Sequence, residues 1–183
     1  MAMIKNITLL VCLIVSSALF SQKMITRSGE IKFQASMPSF EEIAGKNNTA
    51  SCLFDAATGE IAVLALVKGF RFKIPLMEEH FNENYIESDQ FPKATFKGKI
   101  IDFEISKLSS IKTVYDLEGE LTMHGVTKRI KTKISLVQNA GKINAVSVIL
   151  VKLKDYAIEI PNLVKSKISD NAKISINFIF EAK

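Results

Sequence analysis

Few side chains in this chain of 183 residues could do chemistry, and its two histidines are the first to consider. His80 lies in the run EEHFNE, where a helix would place Glu83 on the same face and offer two metal ligands. Because this cluster is sparse, we expect a solvated helix face instead. His124 precedes Gly125 at the end of a predicted strand, where it is expected to fix the turn by a hydrogen bond rather than act as a base. The sequence therefore predicts no catalytic residue and no metal site.

Motifs of the common catalytic classes do not occur in the sequence. It contains no Gly-x-Ser-x-Gly, no Cys-x-x-Cys, no His-Glu-x-x-His and no glycine-rich phosphate loop. Cys52 lies in an apolar run, where a cysteine usually serves as a small buried hydrophobic residue. We therefore predict a protein that is not an enzyme.

Residues 1–21 have the features of a secretory signal peptide. A single basic residue precedes an apolar run, and small residues follow it. We predict cleavage after Ser21, with cleavage after Ala18 as the alternative, and one domain over residues 22–183 in the periplasm or outside the cell. Cys12 raises the alternative of a lipoprotein, but its place in the middle of the apolar run disfavours lipidation.

The chain is basic, with a formal net charge of +5 that falls to +4 without residues 1–21, which contain one lysine and no acidic residue. Its densest basic run comprises Lys128, Arg129, Lys131 and Lys133. On a strand Lys131 and Lys133 would point into water, aid solubility and discourage edge pairing. The functional alternative is attraction to anionic lipid headgroups. Export and the lack of clustered aromatic residues on that strand argue against nucleic acid.

Alternating apolar and polar residues predict strands along most of the domain. In residues 115–123 the apolar side also carries Gly119 in mid-strand, which favours a bend or a bulge. Apolar residues spaced three and four apart after Pro75 predict one helix over residues 75–85, which in a barrel would cover one end. About eight strands with turn signals between them indicate a sandwich or a barrel, and composition does not choose between these.

Two stretches of the sequence resemble a known family. FPKATFKGKI at residues 91–100 matches a Phe/Tyr-Pro-x-Ala-x-Phe strand. YDLEGELTMHGVTKRI at residues 115–130 matches a Gly-x-Leu-Thr-hydrophobic-His-Gly-Val-Thr-Lys strand and turn. Both patterns are typical of the YceI family of polyisoprenoid-binding domains. The resemblance implies an all-β, lipocalin-like antiparallel barrel of about eight strands with one short helix and an elongated apolar cavity.

Apolar residues of the predicted inner faces are the candidates for lining that cavity. The chain has 12 phenylalanines and no tryptophan, and a solidly packed core is the alternative use for them. The predicted ligand-binding residues are Phe70, Phe72, Phe81, Phe96, Tyr115, Leu117, Ile134 and Phe178. Since the alternating strands contain no inward-pointing basic pair, burial of apolar surface alone is expected to hold the ligand.

The resemblance implies a binding protein that sequesters or carries a long apolar lipid, such as an isoprenoid quinone or other polyisoprenoid. No cofactor is required beyond this lipid. The expected partners are the lipid and, transiently, a membrane surface, without nucleic acid and with a homodimer left open. One alternative is an enzyme or accessory factor acting on such a lipid, which would need a convergent acid–base pair. The other is an outer-membrane barrel, but lysines at alternate positions fit a water-facing exterior better.

Overall fold

The computed structural model describes residues 23–37 and 42–181, so the predicted signal peptide of residues 1–21 lies outside the described residues. In the described part, eight long strands and one two-residue strand follow each other along the chain. They are β1 (Lys23–Ser36), β2 (Ala44–Asp55), β3 (Glu60–Leu66), β4 (Arg71–Phe72), β5 (Lys93–Ile100), β6 (Thr113–Met123), β7 (Val126–Asn139), β8 (Lys142–Lys152) and β9 (Ile168–Glu181).

The eight long strands close into an antiparallel barrel. They are hydrogen-bonded in the order β1-β9-β8-β7-β6-β5-β3-β2, and β1 pairs with β2 to complete the circle. The short β4 extends the sheet beside β2, where Phe72 lies opposite Gly45. The predicted all-β barrel of about eight strands is therefore confirmed.

The predicted helix over residues 75–85 is also confirmed. Helix α1 (Pro75–His80) has its proline at the first turn, where the fixed φ of proline suits a helix start. A π-helical turn, Phe81–Tyr85, continues it. Within the described residues, no helix is long and apolar enough to cross a membrane.

The two ends of the barrel differ in what fills them. The end that carries the β2–β3 and β7–β8 turns, here called the packed end, is filled by aromatic rings. Phe54 contacts Phe103 and Phe180 there, with ring centroids 5.3 and 5.4 Å apart. The opposite end, here called the open end, carries α1, the β6–β7 turn and the connection from β8 to β9. The hydrophobic core is therefore solid at the packed end only.

Gly119 makes room for an aromatic ring. The register of β6 with β5 and β7 runs through Gly119 without a shift, so no bulge forms where the sequence suggested one. Gly119 lies opposite Gly98, and a Cβ added to Gly119 would come within 2.6 Å of the Phe96 ring. The two glycines thus allow the Phe96 ring to lie flat against the inside of the sheet.

We expect Gly119→Ala to destabilise the barrel. The added methyl group would collide with the Phe96 ring and with the backbone of β5, and overpacking of this kind typically costs about 1–3 kcal/mol. Chemical denaturation measures the change in the free energy of unfolding. An unchanged denaturation midpoint would show that the Phe96 ring and the β5 backbone move aside freely.

Candidate ligand-binding cavity

An apolar cavity of about 290 Å³ occupies the open half of the barrel. Its walls come from the inner faces of the strands, from α1 and from the connection between β8 and β9. Among the described residues that line it, only His80, Tyr85, Thr95 and Lys167 are polar, and none is acidic. Pockets for small ligands start at about 300 Å³ and are mostly apolar. The cavity is therefore suited to enclosing an apolar group.

Five of the eight predicted ligand-binding residues line this cavity. They are Phe70, Phe72, Phe81, Phe96 and Leu117. Contact of these five side chains with a ligand stays a prediction.

The structure places the other three, Tyr115, Ile134 and Phe178, outside the cavity lining. Ile134 and Phe178 are completely buried in the core. Tyr115 packs edge-on against Phe103, with ring centroids 5.8 Å apart. Strand alternation shows which side chains face inward, but it does not show which end of a strand faces solid core. The prediction that these three residues line the cavity is therefore wrong.

Phe81 attaches α1 to the barrel. Its ring centroid lies 5.0 Å from that of Phe72, 5.5 Å from that of Phe33 and 5.8 Å from that of Phe70. No residue of α1 itself is fully buried, so this aromatic cluster of four rings supplies much of the apolar contact that holds the helix. The position of α1 beside the cavity agrees with a lid, and gating by the helix stays a prediction.

Glu78 provides a polar attachment of α1 to β4. Its carboxylate accepts a hydrogen bond from the Arg71 guanidinium at 2.7 Å and another from the Phe72 backbone N–H at 3.0 Å. Nearby, His80 borders the cavity. No group of three His, Cys, Asp or Glu side chains able to hold a metal ion is found in residues 23–37 and 42–181.

His124 joins three segments at the open end. Its Nδ1–H donates to the Tyr156 carbonyl oxygen at 2.9 Å, and its Nε2 lies 2.7 Å from a carboxylate oxygen of Glu87. The Phe91 ring packs edge-on against the imidazole at 4.7 Å. His124 and Gly125 have φ values of 49° and 72°, a backbone region that favours glycine. The prediction that His124 fixes the turn by hydrogen bonding is confirmed. Its two contacts connect the turn to the loops that contain Glu87 and Tyr156.

Burial raises the pKa of two further titratable groups. It raises the pKa of the Tyr85 hydroxyl beside the cavity. It also raises the pKa of the Cys52 thiol, whose side chain is buried in the core. A thiol kept protonated is a poor nucleophile, so Cys52 has the predicted character of a small buried hydrophobic residue.

Acidic residues of β6 neutralise much of the basic run on β7. The Glu118 carboxylate lies 2.7 Å from the Lys131 ammonium and 3.3 Å from the Arg129 guanidinium, and Lys133 pairs with Asp116. The Lys131 ammonium lowers the pKa of Glu118 accordingly. Because these cross-strand pairs offset the positive charge, the run is a weak candidate for attracting anionic lipid headgroups.

A second set of lining residues has no counterpart in the sequence-based prediction. It belongs to the connection between β8 and β9 and to the start of β9. Its members are Ile158, Ile160, Val164, Lys167 and Ile168. Most of these residues lie outside regular strands, so no alternation indicated which of them face inward. The only signal was the abundance of apolar residues in residues 156–168.

Solved structures of other proteins share this fold. A polyisoprenoid-binding domain from Saccharophagus degradans is 18% identical, with a TM-score of 0.75 over 90% of this chain and 100% of that chain. BcnA from Burkholderia cenocepacia is 16% identical, with a TM-score of 0.68 over 82% and 95%. The YceI protein of Campylobacter jejuni is also 16% identical, with a TM-score of 0.64 over 80% and 90%. At these identities the similarity concerns the fold alone.

No curated protein sequence is significantly similar to this chain. The family of YceI-like domains, in contrast, matches residues 23–180. This range includes both sequence motifs and nearly all of the barrel. The chain therefore belongs to the YceI family.

Proposed function

We propose that this protein binds a long apolar lipid in the barrel cavity, sequesters or carries it, and performs no reaction on it. The single observation that supports this most is the almost wholly apolar lining of a cavity in a YceI-family barrel. The neighbouring fold from Saccharophagus degradans is a polyisoprenoid-binding domain. An isoprenoid quinone or another polyisoprenoid is therefore the favoured ligand.

The size of the cavity limits how much of such a chain it encloses. A water-sized group takes about 30 Å³, so about 290 Å³ holds on the order of ten carbon-sized groups. This corresponds to roughly two isoprene units. A longer chain requires that α1 move outward or that the rest of the chain leave through the opening beside it.

Burial of apolar surface supplies the affinity in this proposal. Each buried methylene contributes about 0.8 kcal/mol. An enzyme acting on the same lipid would need an acid–base pair aimed at the chain. The polar residues of the described lining, His80, Tyr85, Thr95 and Lys167, form no hydrogen bond with each other. The binding function is therefore preferred over the enzymatic alternative.

We also propose that the protein acts in the periplasm or outside the cell, in transient contact with a membrane surface. The features of residues 1–21 support export. The side chains of Leu76 and Leu163 are 56% and 90% exposed on two segments that border the cavity. Apolar side chains in such positions favour contact with a membrane where the lipid enters and leaves.

A homodimer stays a prediction. Val146, Val148 and Leu150 are exposed at alternate positions of β8, so they form an apolar stripe on the outer face of the barrel. Analytical ultracentrifugation of the mature protein measures its oligomeric state directly.

The proposed function is tested by extraction of the protein purified from its own source. Native mass spectrometry should show a mass in excess of the polypeptide, and organic extraction should release a lipid with a long apolar chain. Protein that carries no lipid from its source, and that takes up none after delipidation, would contradict the proposal.

A further inference from the structure

The cavity has positive charge at its rim. His80 and Lys167 are the two side chains of the described lining that can carry a positive charge, and no acidic side chain accompanies them there. Both residues are exposed to solvent, so they lie at the opening rather than in the apolar interior. Apolar burial alone makes no use of this charge.

Both residues belong to segments that contact β1 or the residue that follows it. Phe81 follows His80 directly and packs on Phe33 of β1 at 5.5 Å. The backbone carbonyl of Lys167 accepts a hydrogen bond from the Met37 N–H, just beyond the end of β1, at 3.3 Å. Both side chains therefore border the cavity near the end of β1 that lies at the open end of the barrel.

We propose that the ligand is an amphiphile whose apolar chain fills the cavity and whose anionic head group, a carboxylate or a phosphate, binds at the rim. This inference rests on the proposed lipid-binding function and specifies its ligand class. Lys167 is the principal contact, since its ammonium is a compact charge that donates strong hydrogen bonds to anionic oxygens. His80 is the second proposed contact, because it also borders the cavity. The absence of an inward-pointing basic pair in the strands does not oppose this arrangement, because Lys167 belongs to a connection.

Glu42, an acidic residue of the segment that follows β1, is already engaged. Glu42, beyond the end of β1, bonds to Lys32 at 2.7 Å. That contact lowers the pKa of Glu42 and occupies its carboxylate. Lys167 forms no ion pair with any residue of the ranges 23–37 and 42–181. Within these ranges no carboxylate competes with a ligand for the Lys167 ammonium.

Matched ligand pairs test the head group separately from the chain. Delipidated mature protein is titrated calorimetrically with decanoic acid and decanol, and with geranyl phosphate and geraniol. We expect the parent protein to bind each anion about tenfold more tightly than its alcohol, as for a charge-assisted hydrogen bond. Added salt should weaken the binding of the anions and not that of the alcohols.

Lys167→Met removes the charge and keeps an apolar side chain of similar length. It should lose the preference for anions, measured as the ratio between the dissociation constants of an alcohol and its matched acid or phosphate in the same variant. Lys165→Met is the matched control, because Lys165 is an exposed lysine of the same segment that does not line the cavity. It should keep the full preference, and Lys167→Arg should retain most of it.

Three results would overturn the head-group site. One is equal affinity of the parent protein for an anionic ligand and its matched alcohol. Another is an equal loss of the preference for anions in Lys167→Met and Lys165→Met. The third is displacement of the anionic amphiphiles by inorganic phosphate at comparable concentration, which would assign the rim to a free anion. In each case continued binding of the alcohols would still support the proposed lipid-binding function. Failure of all four ligands to bind would overturn both proposals together.

Discussion

The Phe81→Asp variant should lose ligand affinity by about a hundredfold or more, because α1 can no longer seal the cavity. The Phe81 ring lies among Phe33, Phe70 and Phe72, with centroids 5.0 to 5.8 Å away. A carboxylate in that cluster would lose water without gaining a partner, at a cost of several kcal/mol. The helix is expected to swing outward instead and to let water into the cavity. Titration with geraniol or decanol measures the loss.

Asn84→Asp is the matched control for this experiment. Asn84 lies in the same π-helical turn as Phe81, but its side chain is exposed. The substitution adds the same charge where water can solvate it, so affinity and stability should stay close to those of the parent. If Phe81→Asp binds and unfolds like Asn84→Asp, the assignment of α1 as a lid is wrong.

Filling the cavity from the barrel wall should have an effect of similar size. Ala65 of β3 is 2% exposed and lines the cavity. In Ala65→Phe the new ring would occupy space that the ligand needs. If it displaces about four methylene groups, the loss is about 3 kcal/mol, or roughly a hundredfold in the dissociation constant. Calorimetry with alcohols of increasing length should show the largest loss for the longest enclosed chains.

Ala62→Phe provides the comparison on the same strand. Ala62 is an odd number of positions from Ala65, so it points to the outer face, where it lies opposite Leu53 of β2. The same ring added there should leave binding unchanged. Equal losses in the two variants would mean that the effect comes from distortion of β3 and not from occupation of the cavity.

Much of the barrel could be predicted from the period of the apolar residues. Leu117, Leu121 and Met123 alternate along β6, and all three are buried on its inner face. Pro75 followed by apolar residues at helical spacing predicted α1, since proline at a first turn and an apolar stripe are local signals. Local patterns were therefore enough to predict the secondary-structure elements and the face of each strand that packs in the core.

The hollow and the packed halves of the barrel could not be distinguished in this way. Phe96 and Phe178 both alternate inward, yet Phe96 lines the cavity and Phe178 is completely buried in solid core. The difference depends on which rings from different strands meet inside the barrel, such as Phe54 of β2 and Phe180 of β9 at 5.4 Å. Contacts between distant strands leave no periodic trace in one sequence.

The family motifs describe the scaffold more than the site. His124 and Gly125 form a strained turn that is bonded to Glu87 and Tyr156. Gly119 accommodates the ring of Phe96. The motifs could therefore predict the fold, whereas the charged rim residue Lys167 lies outside both of them.

The most direct test of lipid binding is titration of delipidated protein with isoprenoid alcohols, isoprenoid quinones and fatty acids of graded length. A cavity of about 290 Å³ predicts saturable binding that strengthens up to about fourfold with each added methylene. The increase should level off near ten enclosed carbons, or continue for longer chains if α1 moves outward. Affinity that is undetectable or independent of chain length for every series would contradict the account and leave a YceI-family barrel that does not enclose lipid.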